Sequence, residues 1–272
     1  MTGRLHLIAE DIDFVEVFAN SDTLSGLHPM PARHNVAPTD PVLTILQEYG
    51  QRCARLMKWS FVPDWVKDPR EFSLLTIARV EGVEKKPSFR NAIRYRRCLV
   101  PVTGFYEWQR NKVTGEAIPH FFRKEDAGLF ALAGIWESWM GPNGEEFDGL
   151  AILTRSATAP FRAISDRLPL IVAPEHHDVW LDTRSGRFED ARPLLKSPSP
   201  DDLVAFAVSD RVNHRGNDDP SLTLPRHGRD TERVRVSFAK QDKQQKGKEQ
   251  DSSRPAKLKK EDAEDNGQLD LF

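Results

Sequence analysis

Cysteine is scarce in this chain: Cys53 and Cys98 are the only two among 272 residues. They lie far apart, with no Cys or His partner at metal-ligand spacing, which argues against a zinc site and a disulfide framework. Both read as core thiols in a reducing compartment. Long apolar runs are missing too; none approaches the ~20 residues that a membrane-spanning helix needs. The opening MTGRLHLIAE has no basic segment followed by an apolar one, so no secretory leader is expected. The expected location is the cytoplasm, with no membrane partner. The net charge of -2 makes the whole neither strongly basic nor strongly acidic. A nucleic-acid binder needs only a local basic face, so this class stays open.

Apolar residues are also few, at 39%. The deficit is concentrated between Lys240 and Asn266, which leaves the rest of the chain able to form an ordinary core. Along that rest, Asp11–Asn20 reads as a short helix with Ile12, Val15 and Phe18 on one face. A loop rich in Pro and His follows, through Pro29, Pro31 and Asn35–Pro38. Val42–Gln47 and Arg52–Trp59 flank Glu48-Tyr49-Gly50 and predict a hairpin. Leu74–Ala78 reads as a strand, and Pro87 as the opening of a helix over Ser88–Tyr95. Strands are then expected at Cys98–Pro101, Gly104–Gln109, His120–Arg123, Leu129–Trp136, Leu150–Thr154, Leu168–Val172 and Val204–Val208. Short helices are expected at Pro174–Leu181 and Phe188–Leu195. Strands dominate without βαβ alternation, so the fold class is α+β, mainly antiparallel sheet with short peripheral helices.

After Phe238 the chain turns to Lys, Gln, Asp and Glu, without aromatic or β-branched residues. Such a segment cannot bury enough surface to offset its ordering entropy and is expected to be disordered. Apolar residues return only at Gln268-Leu269-Asp270-Leu271-Phe272. The expected organisation is therefore a folded domain over 1–238, a charged linker over 239–267 and a terminal peptide over 268–272.

Several short stretches do not look like ordinary core. They are Met1-Thr2-Gly3-Arg4, Arg33-His34-Asn35-Val36-Ala37-Pro38, Ala78-Arg79-Val80-Glu81, Gly104-Phe105-Tyr106-Glu107-Trp108 and Ser165-Asp166-Arg167-Leu168-Pro169. With Trp59, Pro63, Trp65, Arg97-Cys98-Leu99-Val100-Pro101 and Thr154, their order and spacing resemble the SOS response-associated peptidase (SRAP) family of abasic-site DNA–protein crosslink proteins, from Thr2 to about Asn213. The resemblance implies a barrel-like sheet and no cofactor or metal. It implies removal of the initiator Met and a cysteine at residue 2, whose amine and thiol close a thiazolidine on the aldehyde of an abasic site in single-stranded DNA. An Asn and a Glu position the terminus and move protons. A His in a His-Asp-Arg-x-Pro segment assists, and a basic groove with an aromatic wedge holds the strand. A DNA damage response in the nucleoid follows as the expected setting.

At the chemical positions this chain departs from that pattern. Residue 2 is Thr2, the Asn position is Ile77 and the His position is Ser165; Glu107 alone is kept. A hydroxyl needs a base where a thiol does not, serine cannot shuttle protons near pH 7 as imidazole does, and isoleucine offers no hydrogen bond. Groups that act as a unit fail together. The binding positions Arg4, Asn35, Pro38, Trp65 and Arg79 are kept, and Arg94, Arg96 and Arg97 add charge nearby in sequence. Three readings follow: a DNA binder without the crosslink, a Schiff-base enzyme using the amine of Thr2, and a non-catalytic repair scaffold. Plain readings stand beside them: Glu107 as a structural carboxylate, Trp65 as core, His176 and His177 as surface residues, and His34 or His214 as a substitute imidazole.

The terminal peptide resembles the bacterial sliding-clamp-binding pentapeptide, glutamine-leucine-x-leucine-phenylalanine. That resemblance implies a clamp partner, with Leu271 and Phe272 as apolar anchors, Leu269 beside them and Gln268 as the polar specificity contact.

Overall fold

The computed structural model describes residues 3–111, 113–184 and 188–226, together with the backbone of 234–235. The expected linker and terminal peptide, and Thr2, lie outside the described residues. The chain runs β1 (Arg4–Leu7), α1 (Asp11–Phe18), β2 (Arg33–Val36), β3 (Pro41–Glu48), β4 (Gln51–Lys58), β5 (Ile77–Arg79), α2 (Ala92–Tyr95), β6 (Arg97–Val102) and β7 (Gly104–Arg110). It continues through β8 (Ala117–Lys124), β9 (Phe130–Met140), β10 (Glu146–Ser156), β11 (Arg167–Pro169), β12 (Ile171–Val172), α3 (His177–Leu181), α4 (Phe188–Ala191), β13 (Leu203–Ala207) and β14 (Val234–Arg235).

Five of these strands close on themselves in the order β10-β4-β3-β6-β9, with β9 pairing back to β10. The closing seam between β10 and β4 is a parallel contact at Gly149 and Lys58. A Cβ at Gly149 would stand 2.3 Å from the Ser60 carbonyl oxygen, so only glycine allows this approach. A second, antiparallel sheet has the order β14-β13-β8-β7-β1-β2. Leu5, Phe105 and Phe122 from this sheet share one core with Val42, Met57, Val100 and Ile152 of the barrel. A further core lies beneath α1, α3 and α4, around Phe14, Phe18, Trp180 and Phe188. No helix among the described residues is long and apolar enough to cross a membrane.

The α+β, mainly antiparallel architecture matches the expectation. The β3–β4 hairpin turns on Tyr49 and Gly50, both at positive φ (50° and 82°), the geometry whose twist suits a two-residue hairpin. Other boundaries moved. Arg33–Val36 is a strand rather than a loop, because β1, itself not foreseen as a strand, supplies a partner and Pro31 ends just before it. The strand expected at Leu74–Ala78 occupies Ile77–Arg79, where β10 provides the hydrogen bonds. The helix expected from Ser88 is confined to Ala92–Tyr95, after a run of turns. Leu168–Val172 splits at Leu170, whose flanks pair with two different strands, β10 and β9.

Three single-residue readings need correction. Arg97 does not add charge to a groove. It is 2% exposed, and its guanidinium donates to the carbonyls of Trp180, Ile93, Arg94 and Asp182. His177 is not a surface residue; it is buried and stacked on Phe18, with ring centroids 5.4 Å apart. Cys53 is only half-buried, whereas Cys98 is buried as expected.

Two strands flank the C-terminal half of β10: β5, parallel, and β11, antiparallel. They are joined by Arg167, which grips Glu81 through two hydrogen bonds of 3.1 and 2.7 Å and the Thr154 carbonyl at 2.6 Å. Hydrogen bonding from Arg167 holds the Glu81 carboxyl far down, at about 2, against an ordinary value of 4.5.

Two outcomes are expected from this packing. Arg97→Met leaves the carbonyl acceptors around Trp180 unpaired and should cost about 3 kcal/mol, lowering the Tm in a melting experiment by on the order of 10 °C. Glu81 is ionised in the fold at pH values where the unfolded chain binds a proton. Its contribution is therefore complete above about 4.5 and is lost as pH falls toward 2. Urea midpoints at pH 5 and pH 3 should differ less for Glu81→Gln than for the natural sequence.

Candidate functional site

Antiparallel pairing of β1 with β7 sets Arg4 opposite Tyr106 and Leu5 opposite Phe105. The next step of that register brings Gly3 abreast of Glu107. Side chains alternate along β7: Phe105 and Glu107 face inward, while Tyr106 joins an outer cluster with Phe121, Phe206 and Val212, and Trp108 packs beside it. Glu107 is thus a carboxylate on a core-facing strand position, and it is wholly buried.

Ser165 meets it there. The short 3-10 turn Phe161–Ala163 carries the chain round, with the Ser165 N–H donating to the Phe161 carbonyl at 3.1 Å. The Ser165 hydroxyl lies 3.1 Å from Glu107 Oε2 and 2.8 Å from the Arg167 carbonyl oxygen. Ser165 is itself 8% exposed, so this contact is shielded from water. Two residues on, Arg167 makes its grip on Glu81 and on Thr154, which is buried near the C-terminal end of β10. Ile77 and Arg79 share one face of β5, at register positions opposite Ile152 and Thr154. Ile77 is half-buried and Arg79 is exposed. The fold therefore gathers Glu107 with Ser165, and Arg79 with the Glu81–Arg167–Thr154 cluster.

Arg4 and Asn35 belong to a neighbouring arrangement, built on the segment Ser209–Asp219. Arg4 Nη2 reaches the Asn213 carbonyl at 3.5 Å, and Trp108 Nε1 donates to Asn213 Oδ1 at 2.7 Å. Asn35 is 3% exposed. Its side-chain amide donates to the carbonyls of Val212, His214 and Asn217. Its backbone N–H, with that of His34, donates to Asp218 Oδ1. Asn35 thus fixes the segment in place instead of presenting its amide to solvent. Sequence reasoning missed Asn213, Arg215 and Asp218. The run DRVNHRGNDDP, dense in Asp, Asn and Arg, was the available signal, since such residues hydrogen-bond neighbouring backbone.

Trp65 is no core residue. It is 57% exposed and stands edge-on to Phe72 at 5.6 Å, beside a small cluster of Val62, Val66 and Trp139. Next to it a cleft of about 270 Å³ is lined by Thr39, Lys58, Ser60, Arg70, Phe72 and Leu74. Pro38, half-buried, precedes Thr39 at the rim of this cleft. Of the two alternative imidazoles, His34 packs against His6 with centroids 5.2 Å apart, and His6 packs in turn against Phe121 on the outer face, across the sheet from Glu107. His214 is exposed, and its Nδ1 accepts from the Gly216 N–H. Burial holds the His6 imidazole down to about 4, with His34 adding to the effect, so it is neutral at pH 7. Among the described residues no group of His, Cys, Asp and Glu is placed to hold a metal ion.

Known proteins resemble this chain in sequence and in fold. The family model for the SOS response associated peptidase (SRAP) matches residues 1–215. The abasic site processing protein YoqW of Bacillus subtilis is 32% identical over 222 residues, covering 82% of this chain and 98% of that protein. The abasic site processing protein HMCES of Rattus norvegicus is 30% identical over 199 residues, covering 62% of this chain and 56% of its own. Crystal structures of proteins from Bacteroides thetaiotaomicron and Bordetella bronchiseptica superpose with TM-scores of 0.70 and 0.65 at 20% and 23% identity, covering 82% and 76% of this chain and 99% of each of theirs. These two establish the fold. By the extent of the match and the order of its motifs, the chain belongs to the SRAP family.

Proposed function

We propose that this protein binds single-stranded DNA at abasic sites in a DNA damage response in the nucleoid, without the sulfur-dependent crosslink its family resemblance implies. The observation that carries the reading is the contact between Ser165 and Glu107. The carboxylate is kept and buried, but its neighbour is a hydroxyl that titrates far above neutral pH and cannot exchange protons as imidazole does. Thr2, outside the described residues, brings a hydroxyl in place of a thiol. Ile77 brings no hydrogen-bonding group.

Binding asks for less. Phosphate contacts supply most of the affinity for a strand, and an aromatic stacked on a base adds roughly 1–3 kcal/mol. Arg4, Arg79, the exposed Trp65 and the Pro38 rim are suited to such contacts, and Asn35 shapes the groove by holding its wall. The relatives named for abasic-site processing support the choice of lesion. The terminal peptide Gln268–Phe272 is proposed to dock on the bacterial sliding clamp through Leu269, Leu271 and Phe272. A flexible linker of about 30 residues has an r.m.s. reach on the order of 30 Å, enough to hold the domain near DNA passing through a clamp.

Incubation of the purified protein with an abasic single strand should give no heat-stable adduct on a denaturing gel. Such an adduct from the natural sequence would overturn the reading, while one trapped only by borohydride would assign a Schiff base to the amine of Thr2. Thr2→Cys alone should restore little; Thr2→Cys with Ile77→Asn and Ser165→His should restore more. Equal affinity for duplex and single strand, or no binding in low salt, would favour a scaffold. For the tail, Leu271→Ala with Phe272→Ala should abolish clamp pulldown and leave DNA binding intact. The expected affinity is near the micromolar range, about -8 kcal/mol, made effective by the several sites of a ring. If a chain ending at Gly267 binds the clamp as well as the full chain, the docking idea is wrong.

A further inference from the structure

Arg4 meets no carboxylate partner directly among the described residues. Its Nη atoms touch only the carbonyls of Gly3, at 2.7 Å, and Asn213, at 3.5 Å. Its Nε is buried without a hydrogen-bond partner. Two residues beyond Asn213 stands Arg215, 55% exposed, which pairs with Asp40 and reaches Thr39 Oγ1 at 3.4 Å. Asp40 also accepts from Arg33 at 3.4 Å and from the Ala37 N–H at 2.8 Å. Arg33 turns its Nε to Asp218, again at 3.4 Å. In this cluster Arg33 and Arg215 pair with the two carboxylates, Asp40 and Asp218, while Arg4, under the electrostatic influence of Arg215 and Asp40, pairs with neither. One positive charge is left over, on Arg4 beside Gly3 and Asn213.

We propose that Arg4 and Arg215 form a clamp for one phosphodiester of a single strand, and that Asp40 occupies the anion's place by holding Arg215 until DNA arrives. The proposal rests on the DNA-binding reading above and adds a residue and an internal competitor to it. A phosphodiester carries one negative charge and matches the surplus of the cluster. Guanidiniums present forked donors to such oxygens, and Arg4 Nε is a donor still to be used. The environment agrees: burial, and then the nearness of Arg215, lower the Arg4 pKa, with Asp40 opposing. An anion set between the two arginines would relieve their repulsion. Asp40, whose side chain is 16% exposed, sits close enough to screen it in the meantime.

The test is anisotropy of a labelled oligothymidylate across a salt series, on full-length protein with Tm checked for each variant. Arg215→Gln should lower the slope of log K against log salt by about 0.7, the value of one single-strand phosphate. Asp40→Asn, which keeps an acceptor for the Ala37 N–H, should tighten binding by roughly threefold at low salt, the scale of one released surface pair. Arg215→Lys should keep the slope but weaken binding, because the fork is lost. Arg211→Gln, on the same segment but paired with Asp219 at 2.8 Å, should leave the slope unchanged. If Arg4→Gln lowers the slope and Arg215→Gln does not, or if a folded Asp40→Asn binds more weakly, the clamp is refuted and DNA binding stands. If the natural sequence binds no single strand at all, both fall together.

Discussion

The pairing of β1 with β7 is the constraint on which the rest of the site depends. Four residues of strand, Arg4–Leu7, fix where Gly3 stands relative to Glu107. Strand alternation then sorts the neighbourhood into two sides. Inward lie Glu107 and Ser165, shielded and facing the core shared with the barrel. Outward lie Tyr106, His6 and Phe121, with Arg4 and Trp108 reaching toward Asn213. A shift of one residue would exchange these faces. The partner strand β2 and the Ser209–Asp219 segment seal the register from the other edge, through Asn35 and Asp218.

The two sides differ in how much substitution they tolerate. On the proposed reading, proton transfer needs a group of suitable acidity at one position, which the hydroxyl of Ser165 does not supply. Groove electrostatics sum over several cations, so each contributes a share and none is indispensable. On the proposed reading, Arg4, Arg79 and Trp65 at the binding positions and Thr2, Ile77 and Ser165 at the chemical ones fit that asymmetry. Ser165 suits the buried setting: its hydroxyl lies within hydrogen-bond distance of both Glu107 Oε2 and the Arg167 carbonyl oxygen.

Much of this was legible in the sequence, and the rest was hidden for physical reasons. The β3–β4 hairpin and the strands from Arg97 to Ser156 announced themselves by alternation and turn residues, which are local signals. β1 and β2 did not. Each is four residues long, and His34 and Asn35 have little strand preference, so tertiary pairing decides their state. Glu107, Ser165 and Trp65 were singled out by motif order, which carries identity but not burial. Asn35 shows the difference: the motif singled the position out, yet only the fold shows that its amide is spent on carbonyls 177 to 182 residues away in sequence. Arg97 misled for the same reason, since one-dimensional charge says nothing about whether a guanidinium faces water or a ring of carbonyls.

The contact between Arg4 and the Asn213 carbonyl spans 209 residues of sequence. During synthesis Arg4 is made long before the segment that it contacts. Between those moments β1 has its partners β2 and β7 yet to come or newly made, and no strap. Contacts so distant in sequence form only after a large loop has closed. β1 therefore lacks this strap until the Ser209–Asp219 segment has been made and has folded against Arg4.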